Sequence, residues 1–455
     1  MPDLAALGAD RDAIALAVRE RVVVRYADPR VARDALREVA GVMRYPEAGE
    51  RTGHETDDQL ARWRALADAI DRDAPDAQLE LLGAVIDEFL GDVAGGFAPG
   101  TYRAVTAILE RGLAVAFRPH GGLPEAGTRL EVAGAIDAVR AVVSSHTVLY
   151  APTHSSNLDS ILVGLALRRI GLPPCAYAAG KHMYRNRVLG MMMGRLGAYR
   201  VDRALPLALY RDVLKEYATV LLERGFHTVV FPGATRSRTN EVDHELKLGL
   251  LGTAVSAAAT RPIAVVPITV SYQLVLEAET LVEAFVSGRA KERIVGKRSD
   301  LRSRLQTVRR LWNLDQRTVV HLGDPLDVRA LAEGAPLTEV TRRLAAEVAR
   351  AFQRGTVLFA THIVAAAVID HPQLELGAAI AMVIARIVAS PDAGSVHASL
   401  VGLDSTAVLA TALATWQSWH RSPPLVHDGA TAEIRAPELL RFYRNRLAHL
   451  AAEVP

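Results

Sequence analysis

In the stretch "YAPTHSSNLDSILVG", residues 150–164, His154 is followed five positions later by Asp159, where an apolar run gives way to a helical pattern. A carboxylate that accepts from one imidazole nitrogen fixes the tautomer and raises the basicity of the other nitrogen. Such a pair suits a general base that removes a proton from an alcohol. The same residues also read as plain architecture. Ser156 to Asp159 has the spacing of a capping box, and an acid in a first helical turn complements the helix dipole. A chain with 14 histidines contains roughly one such pair by chance. On these residues alone both readings stand.

Three more segments carry candidate chemistry. In "GRLGAYRVDRALP", 194–206, a glycine-marked turn precedes a short strand ending at Asp202 and Arg203. Arg203 points to a sheet edge, or simply pairs with Asp202 on the surface. In "TVVFPGATRSRTNEVDHELKLGLLG", 228–252, an apolar strand runs into Pro-Gly and then Arg236-Ser237-Arg238, with Lys247 just before the next helix. Guanidinium forks bind phosphate oxygens bidentately, so two arginines beside backbone N–H groups suit a phosphate dianion. A solvated basic loop is the plain alternative. Its position directly after a buried strand favours the site, because α/β ligands bind at the carboxyl edge of the sheet. In "RPIAVVPITVSYQ", 261–273, Pro267 interrupts a buried strand and predicts an edge or a bulge.

The elements that must hold these residues are legible from periodicity. Residues 1–117 read as a helical N-terminal domain, with apolar residues at three- and four-residue steps in "DAIALAVRERVVVRYA" and "DDQLARWRALADAIDR". Residues 118–334 alternate β-type runs ("HTVLYA", "PPCAYAA", "GAYRV", "FHTVVFP", "PIAVVPITV", "RTVVHLG") with helical ones. That alternation predicts an α/β domain, a parallel or mixed sheet covered by helices on both faces. Residues 335–455 return to helix. The 455 residues suffice for two or three domains. A net charge of +2 says little about partners. The single cysteine, Cys175, cannot form an internal disulfide, which fits a reducing compartment. No secretory signal or spanning segment is expected; "TVLFATHIVAAAVI", 356–369, reads as a core helix. The segment 288–311 holds nine Lys or Arg against Glu292 and Asp300, a cluster for anionic lipid, an acidic carrier protein or coenzyme A phosphates, or else a solvated face.

Taken in order, "HSSNLD", "GAYRVDR", "FPGATRSR" and "VVPITVSY" resemble the four blocks of the glycerolipid acyltransferase family, the family marked by an H-x4-D motif. The continuation "RSRTNEVDHELKLGLLGTAV" is closer to its glycerol-3-phosphate acyltransferase branch, and the resemblance spans about residues 120–330. It implies that His154 is the base and Asp159 its orienting partner. Arg203, Arg236, Arg238 and Lys247 would grip the acceptor phosphate, and Ser155, Asn157, Gly233, Thr235, Ser237 and Pro267 would line the pocket. An acyl group would pass from acyl-CoA or acyl carrier protein to the sn-1 hydroxyl of glycerol 3-phosphate. The resemblance calls for no metal or other cofactor and no nucleic acid, and places the protein in the cytoplasm, peripheral on an anionic membrane. Oxyanion donors would be backbone N–H groups at the start of the helix after His154. Alternatives are lysophosphatidate or another acceptor, and a non-catalytic lipid-binding protein. Two positions depart from the pattern. Gly233 stands where glutamate is usual, and Arg200 where an aromatic or apolar residue is usual.

Overall fold

The computed structural model describes residues 4–43, 57–72, 78–116, 130–185, 187–233, 237–288, 317–390, 392, 394–427 and 431–451. Of the sites read from sequence, Thr235, Arg236 and the basic segment from 289 to 311 lie outside these residues.

At the centre is a mixed eight-stranded sheet. Its strands are β1 (Leu130–Gly134), β2 (Thr147–Pro152), β3 (Ala176–Gly180), β4 (Ala198–Val201), β5 (Thr228–Val229), β6 (Ile263–Tyr272), β7 (Thr318–Leu322) and β8 (Leu326–Asp327), in the order β1-β7-β6-β2-β5-β3-β4, with β8 beside β6. From β6 to β4 all pairings are parallel. β7 and β8 run antiparallel to β6. This is the α/β architecture the alternating pattern predicts, a mostly parallel sheet flanked by helices. The parallel arrangement also brings the turns after β2, β3, β4 and β5 to one edge.

Side chains of β2 alternate between two apolar layers, as a strand covered on both faces requires. Val148 and Tyr150 face a core shared with the helix Asp159–Arg169 and with the C-terminal helix Ala360–Asp370. Leu149 and Ala151 face the helices Leu248–Ala257 and Leu337–Arg354. The segment read as a core helix is one: residues Ala360 to Ala367 of Ala360–Asp370 are all buried. Beyond β4 the N-terminal helices close a third core. Val18, Val22 and Phe89 pack with Tyr199 of β4 and with Tyr210 and Val213 of the helix Ala208–Glu223. Arg21 to Glu223 and Arg25 to Glu216, both at 2.6 Å, border the seam.

Pro267 takes neither of the predicted forms. It lies inside the ten-residue β6, opposite Ala151 of β2. On the other side of β6, β8 pairs with Ala264 and Val265 and β7 with Ile268 to Tyr272, so Pro267 falls in the break between them. Its carbonyl accepts from Gly323 N–H at 2.8 Å on that side. In a strand the N and the C=O of one residue face the same way, so the missing N–H is spent at the break and the β2 ladder is intact.

Two buried histidines hold backbone groups of this framework. His227 Nδ1 accepts from Val148 N–H at 3.0 Å, and His362 Nδ1 accepts from Phe359 N–H at 3.1 Å. Both rings must be neutral at Nδ1. Burial pushes His227 down to about 4, and burial together with nearby Arg446 pushes His362 down to about 3. The unfolded chain protonates both near pH 6.5. Their contribution is therefore complete above that pH and is lost as the pH falls toward 4. Unfolding by urea should show a pH-independent midpoint above about 7 and a loss of roughly 1 kcal/mol or more per imidazole on descending from 6.5 to 4. A midpoint constant through that window would contradict the two neutral rings.

Candidate active site

β2 ends at Pro152, and Thr153 extends its pairing, with its N–H donating to Ile268 O at 2.9 Å. His154 is the first residue past the ladder. The helix that follows begins at Asp159, whose carboxylate turns back into the bend. Asp159 Oδ2 accepts from His154 Nδ1 at 2.9 Å, from Ser155 N–H at 2.6 Å and from Ser156 N–H at 2.8 Å. Its Oδ1 accepts from the Tyr272 hydroxyl at 2.5 Å. The histidine–carboxylate contact and a cap-like contact to backbone N–H groups thus share one side chain. Asp159 performs the return half of a capping box, and the same oxygen takes the imidazole. Ser156 performs the forward half only loosely, its Oγ accepting from Leu158 N–H at 3.2 Å.

An ionised carboxylate only accepts, so His154 Nδ1 carries the proton and Nε2 is left with its lone pair. The Asp159 side chain is 0% exposed, whereas that of His154 is 23% exposed. The base can therefore meet a substrate while its anchor cannot meet water. Phe231, at the end of β5, packs against the imidazole with ring centroids 4.8 Å apart.

The turn is fixed from three further directions. Ser237 N–H donates to His154 O at 2.8 Å and joins the loop after β5 to the loop after β2. His154 N–H donates to Asp243 Oδ2 at 3.2 Å. Glu277, past the end of β6, accepts from Ser156 Oγ at 3.0 Å and from Asn157 N–H at 3.0 Å. These bonds correct one expectation. The amides of Ser155, Ser156, Asn157 and Leu158 are all engaged within the protein, so they are not free to act as oxyanion donors.

The remaining sequence candidates are spread along the same edge. Ser155 is buried and Asn157 exposed on the turn itself. Gly233 follows Pro232 at the end of β5, and Ser237 is half-buried beside His154, its Oγ donating to Glu241 O at 3.2 Å. Arg238 is half-exposed, with no hydrogen-bond or ion-pair partner recorded among the described residues. Lys247 caps the helix Leu248–Ala257 with an exposed side chain, and its N–H donates to Pro232 O at 2.8 Å. Arg203 is exposed just past β4. Three strand spacings separate β4 from β2, roughly 14 Å, so Arg203 and His154 share an edge but not a contact. Arg200, the second departure from the expected pattern, lies with its guanidinium 4.6 Å from the Tyr184 ring centroid and 3.5 Å from Asp92. Pro267 is three residues down the ladder from His154, opposite Ala151.

Four residues that sequence reasoning did not assign complete the arrangement: Tyr272, Asp243, Glu277 and Arg446. Tyr272 stood in the quoted strand segment, but nothing in its spacing indicated a bond to Asp159. Burial first, then the Asp159 charge, push its phenol well above the ordinary range, so it stays a donor. Arg446, 2% exposed, donates to Val270 O at 2.9 Å from the C-terminal region. Burial lowers its guanidinium to about 10, against the pull of Asp243 and Asp159, so it remains charged at neutral pH.

Tyr272→Phe removes one acceptor contact and leaves a buried carboxylate oxygen without a partner. It should lower stability by about 1–3 kcal/mol in denaturant unfolding. A change within a few tenths of a kcal/mol would mean that the Tyr272 hydroxyl does not support Asp159.

Part of the chain is similar to known proteins. The Acyltransferase family model matches residues 131–271, from β1 to the end of β6. The chain is 30% identical over 249 residues to a protein of Pseudomonas paraeruginosa (strain PA7) named glycerol-3-phosphate acyltransferase, covering 52% of this chain and 30% of that one. A protein of the same name from Histophilus somni (strain 129Pt) is 32% identical over 201 residues, 43% of this chain and 24% of the relative. One from Pseudomonas fluorescens (strain Pf0-1) is 28% identical over 262 residues, 53% of this chain and 30% of the relative. The matches thus take in less than a third of these relatives' length. Residues 131–271 are thus similar to the Acyltransferase family, and about half of the chain is similar to proteins named glycerol-3-phosphate acyltransferase.

Proposed function

We propose that this protein is a glycerol-3-phosphate acyltransferase, moving an acyl group from acyl-CoA or acyl carrier protein to the sn-1 hydroxyl of glycerol 3-phosphate. The observation that carries the reading is the His154 imidazole at the carboxyl edge of a parallel sheet, held through Nδ1 by the buried Asp159, with no hydrogen bond to Nε2 among the described residues. The names of the similar proteins suggest the substrate class.

The chemistry follows from the tautomer. The acceptor hydroxyl donates to His154 Nε2. As the oxygen attacks the thioester carbonyl, the proton passes to Nε2 and an imidazolium forms. Asp159 stabilises that cation and keeps the ring in place. The tetrahedral intermediate collapses with cleavage of the carbon–sulfur bond, and the imidazolium returns its proton to the departing thiolate. A thioester is already activated, so no covalent enzyme intermediate is required.

Recognition of the acceptor falls to its phosphate. Arg238 has no competing ion-pair partner recorded among the described residues, and the loop that carries it is tied to His154 through Ser237. Arg203, past β4, is two strand spacings from β5, roughly 10 Å. A phosphate between these loops can be approached by both arginines. Acceptors such as lysophosphatidate share the phosphate, and product analysis separates them. No helix among the described residues is long and apolar enough to cross a membrane, so contact with the lipid product is proposed to be peripheral.

Incubation with an acyl-CoA and glycerol 3-phosphate should yield 1-acylglycerol 3-phosphate by mass spectrometry. Diacyl product from a monoacyl acceptor, with glycerol 3-phosphate inert, would transfer the reading to the lysophosphatidate class. Arg238→Ala should raise KM for glycerol 3-phosphate by about 10–100-fold, the loss of a contact worth roughly 1.5–3 kcal/mol. KM for the acyl donor should barely move. Lysine should rescue only partly, because a point charge does not reproduce the fork. A rise in the donor's KM instead would assign the arginine to coenzyme A or the carrier.

Asp159→Asn should lower kcat by about 10³-fold or more. It should also cost stability, because two backbone N–H groups lose an ionic acceptor. A folded Asn variant with wild-type kcat would reduce Asp159 to a cap.

A further inference from the structure

Gly233 has a neighbour that its own lack of a side chain makes possible. A Cβ at position 233 would lie 2.7 Å from Asp243 Oδ2 and 2.9 Å from its Cγ, closer than side-chain atoms pack. The Asp243 carboxylate therefore fills the space in front of Gly233. The same Oδ2 accepts the His154 N–H at 3.2 Å. One carboxylate thus joins the end of β5 to the backbone of the candidate base.

Several charged groups among the described residues border this point, besides Arg238 on the loop tied to His154 through Ser237. Asp159 binds the imidazole, Asp243 binds the backbone N–H of the same residue, and Glu277 borders the turn through Ser156 and Asn157. Tyr272 is neutral and bonded to Asp159, and Phe231 is apolar. Arg446 is the buried cation, acting on both Asp243 and Asp159. Asn445 beside it donates to Thr239 O at 3.1 Å, so the C-terminal region also holds the loop that delivers Asp243. With His154 neutral, Asp159, Asp243 and Arg446 carry a net negative charge. When His154 takes a proton, two cations face two anions. Without Asp243 the imidazolium loses one of the carboxylates that offset its charge, and Asp159 is left opposite Arg446 with only Glu277 at the border of the turn.

We propose that Asp243 is a positioning residue of the acyl-transfer site: seated against Gly233, it holds the His154 turn and is a second anionic partner for the imidazolium, with Arg446 as its buried counter-charge. The inference rests on the proposed acyl-transfer reading for its kinetic consequences. Burial raises Asp243 from the ordinary carboxylate range, while the His154 N–H, Arg446 and His154 itself oppose the rise.

The test is the titration of His154, followed by NMR on protein carrying 13C-labelled histidine and assigned with His154→Ala, alongside steady-state kinetics. Asp243→Asn keeps the shape and removes the charge. Loss of a neighbouring anion should move this titration downward and move the acid limb of kcat/KM the same way. It should also reduce kcat by about 10–100-fold, at or below the low end of a full general-base contribution because His154 itself is retained, with both KM values within about threefold. Arg446→Gln should move the midpoint upward. Gly233→Ala, which displaces the carboxylate without removing it, should act in the same direction as Asp243→Asn, and the double variant should add little further loss. Gly233→Ala also carries the test should Asp243→Asn not fold. A His154 midpoint and a kcat unchanged in a folded Asp243→Asn or Gly233→Ala variant would overturn the proposal. A wild type that transfers no acyl group would remove the proposed function, whereas the NMR midpoint would still decide whether Asp243 acts on His154.

Discussion

The buried carboxylate of Asp159 is the point on which the site turns. Its two oxygens accept from an imidazole, two backbone amides and a phenol. An ionised carboxylate removed from water is costly unless its lone pairs are filled. Here they are, and each partner comes from a different need. Ser155 and Ser156 need acceptors because they are buried in the bend before the helix. Tyr272 needs one because it is buried at the end of the central strand. His154 then finds its tautomer and orientation already decided. A residue that any helix start could use as a cap is thereby made into the anchor of a base.

Such a group constrains what surrounds it. The strand order places β2 between β6 and β5, so the His154 turn borders Tyr272 on one side and the loop after β5 on the other. The remaining charge is met from far along the chain. Arg446 reaches under the sheet from the C-terminal region, and that region is itself tied to the end of β6. Gln273 Nε2 donates to Thr415 Oγ1 at 2.9 Å, and Trp419 Nε1 donates to Leu276 O at 2.9 Å. The C-terminal helices therefore do more than cover a sheet face. They carry a cation without which two carboxylates would sit together at low dielectric.

Much of this was legible in the sequence, and the limits have physical causes. β2 and β6 stand out because strands buried on both faces are nearly unbroken apolar runs bounded by Pro and polar residues. β1, "LEVAG", and the two-residue β8 carry no such mark; their places depend on pairing with β7 and β6, distant in the chain. His154 and Asp159 could be read as a pair because their spacing spans one turn. Asp243 and Arg446 could not. Asp243 meets His154 from 89 residues away, and Arg446 meets Val270 from 176 away, contacts that only the sheet order creates. Pro267 shows the opposite error. The rule that proline avoids strand interiors is sound, but a strand with two successive partners on one side has a place where no donor is needed. Gly233, which read as a departure from the expected glutamate, is explained once Asp243 is seen in the space its side chain would occupy.

The central claim is that this carboxylate makes His154 a base that acts on a hydroxyl against a thioester. Release of free thiol from an acyl-CoA measures that directly, with and without glycerol 3-phosphate, in wild type and in His154→Ala of verified fold. The account predicts acceptor-dependent release by the wild type and a loss of about 10³-fold or more in the variant. Release that survives in folded His154→Ala would contradict it.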